Sequence, residues 1–382
     1  MDFSLNRNQK AIKEMSRRFA RDVIAPVAEE FERTGKHPYD ILSQMGDLGM
    51  MGIPFPKTYG GGGGDWVSFN LCVEELSRVD MLPGVILDVT VTGAAQELFL
   101  YGTEEQKQRW LIPIVRGKTL GAIGLTEPDA GSDASSIRTS AVLDGDEWII
   151  NGSKQFITNT GLKNNSIVIV AAKTRRKSDG KETICTIIVP TDSPGYKVGQ
   201  KYEKLGMRAS STHELFFDDC RVPRDCLLGE IEKGFSQRLS SLQAGRIAMG
   251  AIATGLAQAC FDQAISFVKK NGKSQTSLFD SQTIPFNLAD IAMRIELSRN
   301  MYLKAAWLKD QGENHTLEAH FAKLYATETA TKIAAEVLKI FSPHGYLEQY
   351  PIARFFRQAK LNEIVEGTSE MQRLIIAREL LF

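Results

Sequence analysis

The chain has 382 residues, 43% of them hydrophobic and 24% charged, and its 46 Lys+Arg balance its 46 Asp+Glu. That length predicts two or three domains with ample buried core and excludes a peptide hormone or a disulfide-stapled module. The balanced charge leaves no basic footprint for nucleic acid, and five scattered cysteines without C-x-x-C spacing predict reduced, mostly buried thiols rather than a disulfide framework or a zinc site.

In chain order, Ile12, Met15, Phe19, Val23, Val27 and Phe31 recur every three or four residues and predict an amphipathic helix kinked at Pro26. The segments Ile41 to Leu48, Val67 to Val79 and Val85 to Tyr101 repeat that period. Between the first two, Pro56 and the glycines Gly60 to Gly64 mark a loop. From about residue 120 the period changes. Strand-like runs at Glu147 to Ile150, Ile167 to Ala171, Thr183 to Val189 and Glu214 to Phe217 alternate with Gly, Asn, Asp and Pro clusters. After Pro223 the helical period returns over Gly250 to Val268, Ile284 to Leu308, Ala319 to Ile340 and Met371 to Leu381. The order α, β, α predicts an α+β protein with domains at 1–119, 120–228 and 229–382. The N-terminus lacks an apolar signal core, and no run of about 18 uncharged apolar residues occurs, so a soluble cytoplasmic protein without a membrane partner is expected.

Five stretches stand out for chemistry. Gly124 to Asp133 reads GLTEPDAGSD, with two hydroxyls and a glycine after a strand, a set able to offer donors to a cofactor edge or a phosphate. Taken alone it is equally a polar turn. Asn151 to Asn159 sends an aromatic face and a hydroxyl out of a strand together. Lys204 to Leu215 follows, then Gly245-Arg246, and near the end Glu366 to Arg373 reads EGTSEMQR.

In this order and at these separations the stretches resemble the acyl-CoA dehydrogenase family of flavoproteins over essentially the whole chain, with a pattern like its short-chain, butyryl-CoA branch. The resemblance implies an N-terminal helical domain, a middle β-barrel domain and a C-terminal four-helix bundle, with FAD between the last two and across a subunit contact. It also implies a homotetramer that passes electrons to an electron-transferring flavoprotein. Glu366 matches the family's catalytic base, which removes the α-proton of an acyl-CoA while hydride leaves the β-carbon for flavin N5. The thioester carbonyl would be polarised by the backbone N–H of Glu366 and a flavin ribityl hydroxyl. Relatives that carry the base elsewhere place it immediately before the arginine matched by Arg246, where this chain has Gly245.

By the same resemblance Thr126 and Thr158 bind the flavin ring, Ser132 lies near flavin and substrate, and Phe156 replaces a tryptophan that stacks on the isoalloxazine. Ile123, Leu125, Gly131, Ile157, Lys339, Thr368 and Glu370 complete the implied FAD contacts, and Gly367 and Gln243 the substrate contacts. Arg246 organises the catalytic region, with a surface salt bridge as its alternative, and a cap is the alternative for Glu366. Gln243 stands where relatives often have an acid that touches CoA, which mildly favours a carrier-protein thioester over CoA. His213 and His344 have no metal-spaced partners and read as ordinary polar residues.

The adenosine sub-site departs from the family. Asn271 to Gln275 lacks the arginine of an Arg-x-x-Phe-Gly segment, and Lys339 to Gly345 keeps only the last glycine of a Gln-x-x-Gly-Gly-x-Gly turn. A flavin-free scaffold of the same fold is the competing class of reading. Asp88 lies on a helix that in relatives lines the acyl pocket, with Thr92 on the same face by i,i+4 spacing. Facing that pocket it would act as a second base and imply a polar or cyclic acyl group, or one able to lose a more distant proton. An exposed or capping carboxylate is the alternative.

Overall fold

The computed structural model describes residues 4–176, 179–271 and 282–382. Helix α1 (Arg7–Phe19) starts on a capping box between Asn6 and Gln9, continues as a π-helical turn over Ala20–Ile24, and breaks before α2 (Ala28–Thr34), so Pro26 falls in the break. After α3 (Tyr39–Asp47) the glycine run folds back on the chain. A β-carbon at Gly61 would stand 2.2 Å from the Phe55 carbonyl oxygen, an approach open only to glycine. Helix α4 (Trp66–Ser77) is capped by Asp65 and α5 (Met81–Asp88) by Asp80. Helix α5 runs without a break through a π-helical turn, Val89–Ala95, into α6 (Gln96–Tyr101). Two short helices follow, α7 (Glu104–Gln106) and α8 (Ile112–Val115).

The middle part holds β1 (Leu120–Gly124), β2 (Ser140–Asp144), β3 (Glu147–Thr158), β4 (Asn165–Arg175), β5 (Glu182–Pro190), β6 (Tyr196–Lys201) and β7 (Thr212–Pro223). They form one sheet in the order β1-β4-β2-β3-β7-β6, with β5 also on β4. A single residue pair, Ser140 with Lys173, links the β1-β4-β5 group to the antiparallel β2-β3-β7-β6 group. All of the strands foreseen from periodicity are present. The unforeseen ones, β1, β2 and β6, are only 5, 5 and 6 residues long.

The C-terminal part is α9 (Gly234–Asn271), α10 (Thr283–Asp310), α11 (Thr316–Ile340), α12 (Pro351–Ala359) and α13 (Ser369–Leu381). Helix α9 is long and apolar enough to cross a membrane, but most of its apolar stretch is buried inside the protein against α4, α10 and α11. Close backbone contact ties the two helical parts together, since a β-carbon at Gly255 of α9 would stand 2.4 Å from the Glu74 carbonyl oxygen of α4. Buried ion pairs add to it: Arg299 with Glu74, and Arg354 with Asp80. All five cysteines are buried and free, as their spacing predicted.

Candidate active site

Glu366 occupies the turn between the 3-10 turn Lys360–Glu363 and α13, with φ +56°, and Gly367 follows at φ +87°. A left-handed glutamate is uncommon, and such strain persists where neighbours fix it. Here they do. Gln372 Nε2 donates to the carbonyls of Glu366 (3.1 Å) and Gly367 (2.9 Å), and Lys323 Nζ donates to the carbonyls of Gly367 (2.7 Å) and Glu363 (3.3 Å). Thr368, not Glu366, caps α13 by accepting from the Met371 N–H. The capping alternative for Glu366 is therefore gone. Among the described residues neither its carboxylate nor its backbone N–H has a hydrogen-bond partner.

Arg246 lies well inside α9 and is only 7% exposed, so it is not a surface salt bridge. Its Nη1 lies 3.3 Å from His320 Nε2, and His320 Nδ1 lies 2.5 Å from Gln372 Oε1. A guanidinium only donates, so Nε2 accepts and the ring hydrogen sits on Nδ1, donating to Gln372. Burial and the Arg246 charge push His320 down to about 4, which keeps the imidazole neutral. A single chain of contacts thus runs from Arg246 through His320 and Gln372 to the Glu366 carbonyl. Burial raises the Glu366 carboxyl above its ordinary value, while Arg246, Lys323 and Arg238 pull the other way.

Gly245 makes room for that carboxyl. A β-carbon there would stand 3.1 Å from Glu366 Oε2 and 3.3 Å from Thr92 Oγ1. Asp88 is buried, which removes the exposed alternative, and Thr92 Oγ1 lies 2.6 Å from its Oδ1. Gln243 is half-buried and donates to Thr316 Oγ1 at 2.9 Å.

A second group of predicted residues meets at the end of β3. The Thr126 carbonyl accepts from the Gln155 N–H at 2.8 Å, which lays the segment after β1 beside Phe156. A β-carbon on Gly131 would meet only the Thr126 methyl, at 3.9 Å, and Gly131 and Ser132 are both exposed. Phe156 has φ +61° and is 57% exposed, with its ring centroid 4.9 Å from that of Tyr202. Ile123, Leu125 and Thr158 are half-buried. The Ile157 side chain is buried, which leaves only its backbone for a ligand. A flavin needs a flat apolar face and hydrogen-bonding groups along one edge, and the exposed Phe156 ring with Thr126, Ser132 and Thr158 fits both needs.

The adenosine side is different. Lys339 in the last turn of α11 and Glu370 in the first turn of α13 are exposed, and the Thr368 hydroxyl accepts the capping hydrogen bond of α13. The side chain of Asn271 and residues 272–275 lie outside the described residues. His213 is buried near Thr160 and Ser211, and no His, Cys, Asp and Glu group of metal-binding size occurs among the described residues.

His320, Lys323 and Gln372 escaped the sequence reading. His320 and Lys323 are three apart on one face of α11, and Gln372 lies six residues beyond the base in the first turn of α13, but that spacing does not join them to Arg246.

Three family models cover the chain: Acyl-CoA dehydrogenase, N-terminal domain, at residues 6–118, its middle domain at 122–220 and its C-terminal domain at 232–381. The chain belongs to the acyl-CoA dehydrogenase family. It is 46% identical over 381 residues to the probable acyl-CoA dehydrogenase YngJ of Bacillus subtilis, covering 100% of both chains. The solved butyryl-CoA dehydrogenase of Megasphaera elsdenii matches with a TM-score of 0.96 and 39% identity, covering 100% of both chains. A chain in a structure described as the electron transferring flavoprotein of Acidaminococcus fermentans matches with a TM-score of 0.96 and 40% identity, again covering 100% of both. An acyl-CoA dehydrogenase is an FAD-dependent oxidoreductase, and the N-terminal helical, middle β and C-terminal helical parts of this one are the family's.

Proposed function

We propose that this acyl-CoA dehydrogenase desaturates a short acyl-CoA thioester between its α- and β-carbons, with Glu366 as the base. The observation that carries the reading is a carboxylate without a protein partner, raised by burial and held by a strained turn beside a glycine that leaves it space. An α-proton of a thioester is weakly acidic, so the base must be close, poorly solvated and fixed in direction. As the proton moves to the Glu366 carboxylate, negative charge grows on the thioester oxygen, and the free Glu366 N–H is placed to donate to it. Bound FAD supplies the acceptor for the hydride that leaves the β-carbon.

The other residues position these groups. Arg246, through His320 and Gln372, and Lys323 hold the turn that aims the carboxylate and the N–H. Phe156, Thr126, Ser132 and Thr158 would hold the flavin ring, with Ile123, Leu125, Gly131 and Ile157 contributing backbone around it. Lys339, Thr368 and Glu370 would serve the rest of FAD. The functional units divide at 119/120 and 228/229.

A carrier-protein thioester is the second reading, because the Gln243 amide is engaged by Thr316 and offers no acid to CoA. A homotetramer working in the cytoplasm, with an electron-transferring flavoprotein as electron acceptor, completes the proposal; the match to the Acidaminococcus chain supports that acceptor.

Glu366→Gln tests the assignment, since it removes the base but keeps volume and N–H. The variant should keep its fold and its yellow flavin spectrum while turnover falls by about 10²- to 10⁴-fold. Near-normal turnover on the best thioester would overturn it.

A further inference from the structure

Helix α5 delivers to this site a carboxyl that the reaction above does not use. Asp88 is 1% exposed and ends α5 where the helix widens into the π-helical turn Val89–Ala95, a distortion frequent at functional sites. Thr92 Oγ1, inside that turn, lies 2.6 Å from Asp88 Oδ1 and 3.0 Å from the Asp88 carbonyl oxygen. A hydroxyl has one hydrogen to give. That hydrogen is shared between the two Asp88 oxygens, with the shorter contact to Oδ1. Burial and the neighbouring Glu366 charge act in the same sense, pushing Asp88 well above the ordinary carboxylate range. Arg246, Lys323 and Arg238 act on Glu366, and the charge that reaches Asp88 is that of Glu366.

With Oδ1 engaged by the Thr92 hydroxyl, Asp88 is left with Oδ2 as an acceptor, and that oxygen has no hydrogen-bond partner among the described residues. Asp88 stands near the proposed base, whose charge acts on it. Thr92 Oγ1 and Glu366 Oε2 both lie within 3.3 Å of the point where a β-carbon on Gly245 would sit. A donor that reaches this poorly solvated oxygen gains a hydrogen bond with little competition from water. The acyl group is what enters this space.

We propose that Asp88 is a specificity-determining residue whose free oxygen accepts a hydrogen bond from an O–H or N–H group on the acyl chain, so that the enzyme takes hydroxyacyl or aminoacyl thioesters in preference to plain alkyl ones. The inference rests on Glu366 being the base, and its test separates the two claims.

The FAD-loaded enzyme is assayed with butyryl-CoA, 4-hydroxybutyryl-CoA and 4-aminobutyryl-CoA. Flavin bleaching and kcat/KM are the activity readouts, and binding is read from the flavin spectral shift in the inactive Glu366→Gln background. At least one polar thioester should exceed butyryl-CoA by about tenfold or more in kcat/KM and in affinity. Asp88→Asn keeps a carbonyl oxygen and can donate to Thr92, so it should keep the ratio within about threefold. Asp88→Leu should abolish the preference and gain on butyryl-CoA. Thr92→Val, which removes the hydroxyl that orients Asp88 and leaves the helix intact, should lower the ratio even where Asp88→Leu fails to fold.

Bleaching by butyryl-CoA with equal or better efficiency than by both polar thioesters overturns the inference and leaves Glu366 standing. A preference for the amino thioester alone that Asp88→Asn destroys would mean an ionised Asp88 binding a cation, and this too overturns the proposal. No bleaching by any of the three thioesters, with no affinity for the polar ones in the Glu366→Gln background, overturns this inference, while the base assignment stands or falls by Glu366→Gln on the best thioester.

Discussion

Gly245 and Glu366 fit together as an empty position and the group that fills it. A β-carbon on Gly245 would stand 3.1 Å from Glu366 Oε2 and 3.3 Å from its Cδ, closer than side chains ordinarily approach. The clash is with the end of a flexible side chain, so the fold should survive while the carboxylate shifts by a few tenths of an ångström. Gly245→Ala should therefore cut kcat by about tenfold, because proton abstraction depends steeply on placement. Its unfolding midpoint should be unchanged or higher, since alanine favours a helix interior by roughly 0.5–1 kcal/mol over glycine. Steady-state kinetics beside thermal unfolding check both halves, and a variant as active as the parent would show that the carboxylate is not confined there.

The pH profile follows from the same pair. Burial raises Glu366, and a base acts only when ionised, so kcat/KM should climb with pH through a midpoint above the ordinary carboxylate value of 4.5. Arg246 is the first of the cations that lower it. Arg246→Gln should move the rising limb to higher pH as well as reduce its plateau. A limb that stays in place would mean that Arg246 does not act on the charge of the base.

Much of this site was legible in sequence because it is built from short, ordered motifs. Glu366 sits in EGTSEMQR, a turn that leads into α13, and Thr126 in GLTEPDAGSD, the segment that leaves β1. What stayed hidden depends on contacts far apart in the chain. His320 joins Arg246 to Gln372 across three segments, and no spacing rule encodes that bridge. Burial was equally hard to see. Asp88 was as readily an exposed cap, because a lone carboxylate in an apolar run has either fate, and only packing decides it. Strands β1 and β2, at 5 residues each, give periodicity too few repeats to register, whereas the apolar stretch Gly250 to Val268 of the 38-residue α9 was plain.

Retention of FAD should depend on salt more than in relatives that have an arginine at position 271. A guanidinium gives a pyrophosphate a bidentate, charge-assisted pair of hydrogen bonds that an asparagine amide cannot match. Lys269, Lys270 and Lys339 are exposed and supply point charge in its place, which salt screens. Gel filtration at about 0.05 M and 1 M salt, followed by the ratio of flavin to protein absorbance, should show FAD lost in high salt and held in low. Asn271→Arg should reduce that loss, and equal retention at both salt concentrations would show that other contacts carry the adenosine half.

The buried pair of Glu97 and Arg238 supports the site from below and predicts a stability that varies with pH. Arg238 Nη1 donates to Glu97 Oε1 at 2.5 Å and Nη2 to the Ile169 carbonyl at 3.3 Å, with both side chains nearly inaccessible. Removing one partner of such a pair leaves the other charge buried and alone, so Glu97→Ala should cost about 3–5 kcal/mol in denaturant unfolding. Burial nevertheless pushes Glu97 up to about 7 from its ordinary 4.5, against the pull of Arg238. The folded state therefore holds this proton more tightly than the unfolded chain does. The contribution is full below about 4.5 and is lost as pH rises through 7. Glu97→Gln cannot titrate, so its stability should fall less steeply than that of the parent between those values, while the amide keeps one hydrogen bond to Arg238. Unfolding midpoints for both proteins across that range decide the matter. Parallel curves would show that Glu97 stays ionised throughout and that Arg238 outweighs the burial.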